Sequence, residues 1–285
     1  MNLHHKSVAQ TIPLANQPLR SLLLKHGRDT HKGTFGSVAV LEGIHELAGA
    51  SRLCAYAAYR AGAGAVTLLT PAKASSLPRQ PEVMSLPVRS ITAHIDRFTA
   101  IVIGPGVGKS AGRFANAKAI FNLALKKNGT IIVDADALPL LLGASKNKRS
   151  DATIIATPHP KEAAGLLKLS TEAVQADRLK AALKLASLPI NTSAEVIWVL
   201  KGADPIVVSK DKAPTVVEGG VPALSVAGSG DVLSGAIAAL VAQTSTAFEA
   251  CLLGVSAHLS AGRMLKTRGH FATEIADSLG RSLWS

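Results

Sequence analysis

The sequence predicts an α/β fold, with one mainly parallel central sheet covered by helices on both faces. Three observations carry that reading. Short β-branched runs are apolar throughout instead of on alternate residues, as strands buried on both faces require. Ala- and Leu-rich stretches long enough for helices separate most of these runs, which is the alternation of βαβ units. Nearly every run also ends in a turn bearing Gly, Pro or Asp.

In chain order the expected strands are Val38–Leu41, Val66–Leu69, Ile101–Ile103, Thr130–Val133, Thr153–Ile155, Val196–Leu200 and Ile206–Val208. Helices are expected over Ser51–Ala61, Ala111–Lys127, Lys161–Leu167 and Thr171–Leu185, and two long ones, Asp231–Gln243 and Ala247–Leu265, are expected to close the chain. Leu41 leads to Glu42-Gly43, Leu69 to Thr70-Pro71, and Ile103 to Gly104-Pro105-Gly106-Val107-Gly108. Val133 leads to Asp134-Ala135-Asp136, Ile155 to Thr157-Pro158-His159-Pro160, and Leu200 to Lys201-Gly202-Ala203-Asp204. In an open parallel sheet these turns emerge together at the carboxyl edge, where ligands bind. The polar chemistry is therefore expected on one rim. A single domain over 1–285 is expected, with residues 1–20 as an N-terminal extension.

Composition narrows the class. The 285 residues are 47% apolar, which excludes a disordered chain, and 31 Lys and Arg against 19 Asp and Glu leave a formal charge of +12. That excess favours anionic partners such as nucleotides, phosphates or nucleic acid. Aromatics at 4% and scattered basic residues argue against nucleic acid, and the small Lys146, Lys148, Arg149 cluster reads as a solvated loop. The two cysteines, Cys54 and Cys251, sit in apolar surroundings and read as reduced core residues. The longest nearly apolar run, Val232 to Ala242, falls well short of the roughly 20 residues that cross a bilayer, so no membrane span is expected. Residues 1–28 carry Lys6, Arg20, Lys25 and Arg28 without an acid, but Leu22–Leu24 is too short for a secretory core, and a cytosolic setting is expected. The Asn128 and Asn191 sequons carry no weight there.

Ala227-Gly228-Ser229-Gly230-Asp231, running into Val232–Ile237, is the strongest chemical candidate. Glycines turn backbone amides toward a ligand, and the amino end of the following helix offers unpaired N–H groups and positive dipole charge to an anion. Asp231 at that helix start would take a proton from a hydroxyl attacking a bound phosphate. The alternative is an Asp helix cap after a glycine turn. Gly104-Pro105-Gly106-Val107-Gly108 brings backbone close to a ligand or is a structural turn, and it is no dinucleotide fingerprint. Asp134 and Asp136 share one face at a strand end, where they would orient Mg²⁺ through water or cap the next helix. His159, fixed between two prolines, is held for ligand contact or is structural. Lys201–Asp204 wraps an adenosine phosphate or is a surface turn. The histidines show no metal-ligand spacing, and no metal ligands are assigned.

The order of motifs resembles the ADP-dependent NAD(P)H-hydrate dehydratases, a branch of the ribokinase-like fold. The resemblance rests on His31-Lys32-Gly33-Thr34-Phe35-Gly36, Ala48-Gly49-Ala50, Arg60-Ala61-Gly62-Ala63-Gly64 and Gly104–Gly108, followed by Asp134-Ala135-Asp136-Ala137-Leu138, Thr157–Glu162, Lys201-Gly202 and Gly228-Ser229-Gly230-Asp231. It implies a repair enzyme that dehydrates hydrated NADH or NADPH (NADHX, NADPHX) at the expense of ADP or ATP, with Mg²⁺. The hydroxyl at C6 of the nicotinamide ring would be phosphorylated and phosphate eliminated, since hydroxide leaves poorly. By resemblance Asp231 is the catalytic base and a substrate contact, and Gly228, Ser229 and Gly230 form the anion hole. Ala50, Gly106, Gly108 and His159 contact the hydrated cofactor, while Lys201, Gly202, Ala203, Asp204 and Pro205 hold the nucleotide. A homo-oligomer and a separate epimerase chain are also implied. Glu42, Pro139, Lys161, Asp204, Pro205 and Val226-Ala227 depart from the family pattern, and they cluster at the rim. The same anion hole and base would serve a kinase of a small vitamin-like alcohol, and the third reading is a non-catalytic nucleotide binder.

Overall fold

The computed structural model describes residues 9–13, 18–71, 80–108, 111–127, 129–143, 151–190, 192–265 and 268–284. The strands are β1 (Gln10–Pro13), β2 (Ser37–Leu41), β3 (Ala65–Thr70), β4 (Met84–Pro87), β5 (Ala100–Ile103), β6 (Thr130–Val133), β7 (Thr153–Ala156), β8 (Glu195–Leu200), β9 (Ile206–Ser209) and β10 (Thr215–Glu218). They form one sheet in the order β1-β10-β9-β8-β7-β6-β5-β2-β3-β4. Only the β8/β9 and β9/β10 pairs are antiparallel. The carboxyl ends of β2 to β8 therefore share one edge, as the turn pattern predicts.

The helices are α1 (Ala48–Arg60), α2 (Ala111–Lys126), α3 (Pro160–Leu167), α4 (Thr171–Ala176), α5 (Arg178–Ala186), α6 (Ser229–Leu240), α7 (Ala247–Met264) and α8 (Ala272–Trp284). Successive strand residues point to opposite faces, and both faces are covered. Val38, Val102, Ile132, Ile155 and Val199 pack under α1, α6, α7 and α8. Ile101, Ile131, Val133, Ile154 and Trp198 pack under α2 to α5. Each such side chain contributes about 1.5–3 kcal/mol relative to exposure, which is why the runs lack alternation. On the first face α6 crosses α1 closely. A Cβ at Gly235 would lie 2.1 Å from the Cys54 carbonyl oxygen, so only glycine fits that crossing. This packing fixes the amino end of α6 against the sheet edge.

The structure departs from expectation in several elements. The expected helix over Thr171–Leu185 breaks at Asp177 (φ −144°, ψ 81°), whose side chain instead caps α5 by accepting from the Lys180 amide. A third helix, α8, closes the chain after the two that were expected. Its signal was present, because buried Ala272, Ile275, Ala276, Leu279 and Leu283 recur at helical spacing. The short edge strands β1 and β4, and β10 next to β1, lacked the apolar runs that mark central strands. Residues 1–20, expected as an extension, contribute β1 and a buried Leu19, and Arg20 donates to the Ser282 carbonyl at the end of α8. The Lys146, Lys148, Arg149 cluster and both sequon asparagines lie outside the described residues.

Candidate active site

The first turn of α6 projects from the floor of the rim. Gly228 is the residue before the helix and takes the left-handed conformation (φ 90°), with no side chain capping the turn. The Ser229 and Val232 amides find carbonyls at Val226 and Gly228, whereas those of Gly230 and Asp231 have no backbone acceptor among the described residues. Two N–H groups are thus left open at the positive end of a buried helix. Asp231 is not the cap that one sequence reading allowed. Burial, and then the neighbouring Asp134 carboxylate, raise its pKa to about 6.

Beneath it lies an ion pair. Lys201 Nζ donates to Asp134 Oδ1 at 2.7 Å, and Ser234 Oγ donates to Asp134 Oδ2 at 2.7 Å. The Ala135 amide also reaches Oδ1 at 2.9 Å. Thr157 Oγ1 lies 3.4 Å from Ser234 Oγ and extends the network. Burial pushes the Asp134 carboxyl up, but Lys201 and Ser234 outweigh it and hold the group below its ordinary value. Lys201 is likewise penalised by burial and held charged by Asp134, Glu162 and Asp231. Its ammonium approaches the α6 turn so closely that a Cβ on Gly230 would be 3.2 Å away. A cation and two open amides therefore converge beside Asp231.

Pro158 and Pro160 do fix His159, which is the residue before α3. Its Nδ1 accepts from the Glu162 amide at 3.2 Å, while Glu162 Oε2 accepts from the His159 amide at 2.7 Å. The proton of the neutral ring is consequently on Nε2, 3.3 Å from Glu162 Oε1. Burial and Lys201 lower the His159 pKa, and burial raises that of Glu162. Both residues line a cavity of about 710 Å³ with Asp136, Pro139, Lys161 and Leu166. A second cavity, between Tyr56, Arg60, Arg281 and Trp284, belongs to the opposite edge of the sheet and holds none of these groups.

The Gly104–Gly108 turn is closely packed. Gly104 (φ 133°) stands where a Cβ would lie 1.8 Å from the Asp134 carbonyl oxygen, and at Gly106 it would lie 2.2 Å from the Leu47 carbonyl oxygen. The Gly106 oxygen accepts from the Ile44 amide at 2.8 Å, which seals the β2 and β5 loops together. Asp136 Oδ2 accepts from the Gly108 amide at 3.0 Å. Asp134 and Asp136 thus do not fit a shared divalent cation, because Asp134 is already neutralised by Lys201 and Asp136 is bound to the turn. Among the described residues no cluster of His, Cys, Asp and Glu could hold a metal ion. Ala50 lies half-buried in the first turn of α1, on the same rim.

Residues 201–205 are fastened from two sides. Arg178 donates to the carbonyls of Leu200, Lys201 and Asp204, and Asp204 Oδ1 accepts from the Gly219 amide at 2.9 Å. Pro205 is buried and accepts from Val217, while Ala203 is exposed beside Gly220.

Comparison with known proteins now bears on this rim. A family model described as NAD(P)H-hydrate dehydratase matches residues 38–283. An ADP-dependent (S)-NAD(P)H-hydrate dehydratase of Neisseria meningitidis is 37% identical over 261 residues, covering 87% of this chain and 85% of that protein. The chain belongs to the NAD(P)H-hydrate dehydratase family. A bifunctional NAD(P)H-hydrate repair enzyme of Coxiella burnetii is also 37% identical, but the chain spans only 51% of its length. A Bacillus subtilis ADP/ATP-dependent NAD(P)H-hydrate dehydratase, crystallised with ATP and Mg²⁺, superposes with a TM-score of 0.81 at 24% identity over 97% of this chain and 98% of that one. A ribokinase-like protein of Enterococcus faecalis gives 0.78 at 25% identity, covering 96% and 95%. The fold is ribokinase-like.

Within this family member, several rim departures have local partners. Glu42 is buried and pairs with Arg52 at 3.1 Å, and Asp204 holds the 219–220 turn. Pro139, Lys161 and Ala227 are exposed at the rim and nothing in the structure explains them. Sequence reasoning missed Ser234, Arg178 and His258. The Ser229 hydroxyl turns inward to His258 Nε2 at 3.1 Å and so away from the site. Burial lowers the His258 pKa to about 4, which keeps the ring neutral. No helix among the described residues is long and apolar enough to cross a membrane.

Proposed function

We propose that the chain dehydrates the S-epimer of hydrated NADH or NADPH, converting ADP to AMP and phosphate, with ATP as the alternative donor. One observation carries this reading: Asp231 stands uncapped at a helix turn with two open amides, beside an ammonium held in place by a buried carboxylate. A terminal phosphoryl group would sit at the Gly228-Ser229-Gly230 turn on the open amides of Gly230 and Asp231, with Lys201 balancing its charge. Asp231, ionised above about pH 6, would take the proton of the C6 hydroxyl as its oxygen attacks phosphorus. Phosphate then departs where hydroxide would not.

The remaining assignments follow the family. Ala50, Gly106, Gly108 and His159 border the hydrated cofactor, and Lys201–Pro205 border the nucleotide. Mg²⁺ would neutralise the nucleotide's phosphates without help from Asp134 or Asp136. We assign the chain to one catalytic domain, working in the cytosol as a homo-oligomer, with an epimerase activity renewing the reactive epimer. The test is incubation with hydrated NADH and ADP or ATP. Reduced nicotinamide absorbance should return with stoichiometric AMP (or ADP) and phosphate. A stable phosphorylated alcohol would instead mark a kinase, and nucleotide binding without turnover would mark a binder.

A further inference from the structure

Restoring the nicotinamide ring needs a second proton acceptor. Dehydration across C5 and C6 removes oxygen from C6 and hydrogen from C5, and the proposed first step leaves Asp231 protonated. In that step the hydroxyl proton goes to Asp231, the new O–P bond forms, and AMP leaves with the electron pair of the broken P–O bond. In the second step a base must take the C5 proton, whose bonding pair becomes the C5=C6 double bond. The C6–O bond breaks and phosphate leaves with its pair. We propose that Glu162 is this second base, an inference that rests on the dehydratase reading above.

The rim offers few alternatives. Asp134 is buried, and both its oxygens are engaged by Lys201, Ala135 and Ser234. His159 has no free lone pair, because Nδ1 accepts from the Glu162 amide and Nε2 carries the proton. Glu162 differs from both. It lines the 710 Å³ cavity, its Oε2 takes the His159 amide, and among the described residues its Oε1 meets only the His159 ring edge at 3.3 Å. Lys201 Nζ lies 3.9 Å from Oε2, and the same ammonium flanks the α6 turn that carries Asp231. One cation thus lies between Glu162 and the turn that carries Asp231, an arrangement that serves two successive proton transfers. Burial raises the Glu162 pKa, which makes it the stronger base when ionised. Asp136 also lines the cavity but is tied to the Gly108 amide.

Rapid-quench single turnovers with hydrated NADH and ADP test the assignment in wild type, Glu162→Gln and Asp136→Asn. Glutamine keeps an acceptor for the His159 amide, so the start of α3 is preserved. In Glu162→Gln, AMP should still form once per site, while reduced nicotinamide appears about 10²-fold more slowly or less, as loss of a general base predicts. The phosphorylated hydrate should accumulate. In Asp136→Asn the two products should keep pace with each other. The assignment is overturned if AMP and reduced ring slow together in Glu162→Gln, if neither slows, or if only Asp136→Asn uncouples them. Wild type that makes neither product overturns the dehydratase reading, and the Glu162 role with it.

Discussion

Replacing Asp231 by Asn should abolish turnover and, at the same time, make the protein more stable. The ionised carboxylate is a burden on the fold, since burial and Asp134 together raise its pKa from 3.8 to about 6. That displacement corresponds to about 3 kcal/mol against the charged form at neutral pH. With the group partly open to solvent, a gain of about 1–3 kcal/mol is expected in the variant. At about 2–4 °C per kcal/mol for a chain of this size, Tm should rise by several degrees. The pH dependence follows from the raised pKa. Stability from the protonated carboxyl is complete below 3.8 and lost as pH climbs to about 6, so the variant's advantage should grow across that interval and then level off. His258 works in the opposite sense. Burial lowers it from 6.5 to about 4, so its contribution is full above 6.5 and lost on acidification toward 4. The two offset each other in wild type between about pH 4 and 6, and Asp231→Asn should expose the acid sensitivity of His258. Urea unfolding across this pH range measures both. An Asp231→Asn protein that is less stable than wild type at pH 7 would refute the reasoning, because Asp231 would then be holding structure together.

Other perturbations test the supporting network. Lys201→Met leaves Asp134 charged in the interior and should cost about 3–5 kcal/mol in urea unfolding; a change near zero would contradict the buried pair. His258→Gln should remove the loss of stability on acidification and leave Asp231 unopposed, so the urea unfolding midpoint should rise as pH falls from about 6 toward 4; a midpoint that still falls would contradict it. Gly104→Ala forces a Cβ into the Asp134 carbonyl and a positive φ on alanine, with an expected loss of about 2–5 kcal/mol by the same measurement. Arg178→Met releases three carbonyls of the 200–204 segment and should raise the nucleotide KM about tenfold with a smaller effect on kcat, visible in steady-state kinetics.

Local pattern made much of this molecule legible before any coordinates. Apolar β-branched runs located β2, β3 and β5 to β9, because central strands buried on both faces leave an unbroken signature. Turn residues at their ends placed the chemistry on one rim, and Gly228–Asp231 was readable since a glycine turn before an apolar helix has a direct physical meaning. What stayed hidden depended on neighbours distant in sequence. Lys201 and Asp134 are 67 residues apart, so nothing local showed that the lysine would occupy the place suggested for Mg²⁺. His258 sits among small residues of α7, where its spacing resembles no site. Gly104 and Gly106 allowed ligand approach or a packed turn, and the carbonyls of Asp134 and Leu47 that require glycine there come from segments distant in sequence. Helix α8 carried its periodicity openly, but Phe271 and the polar start of that segment concealed the boundary.

The central claim is that Asp231 activates the attacking hydroxyl at a phosphate bound on the amides opening α6. It is tested most directly by single-turnover formation of AMP from ADP and hydrated NADH in wild type and Asp231→Asn, alongside nucleotide binding by each. The account predicts AMP from wild type, near-complete loss in the variant, and nucleotide binding retained by both. Wild-type rates of AMP formation in Asp231→Asn would contradict it.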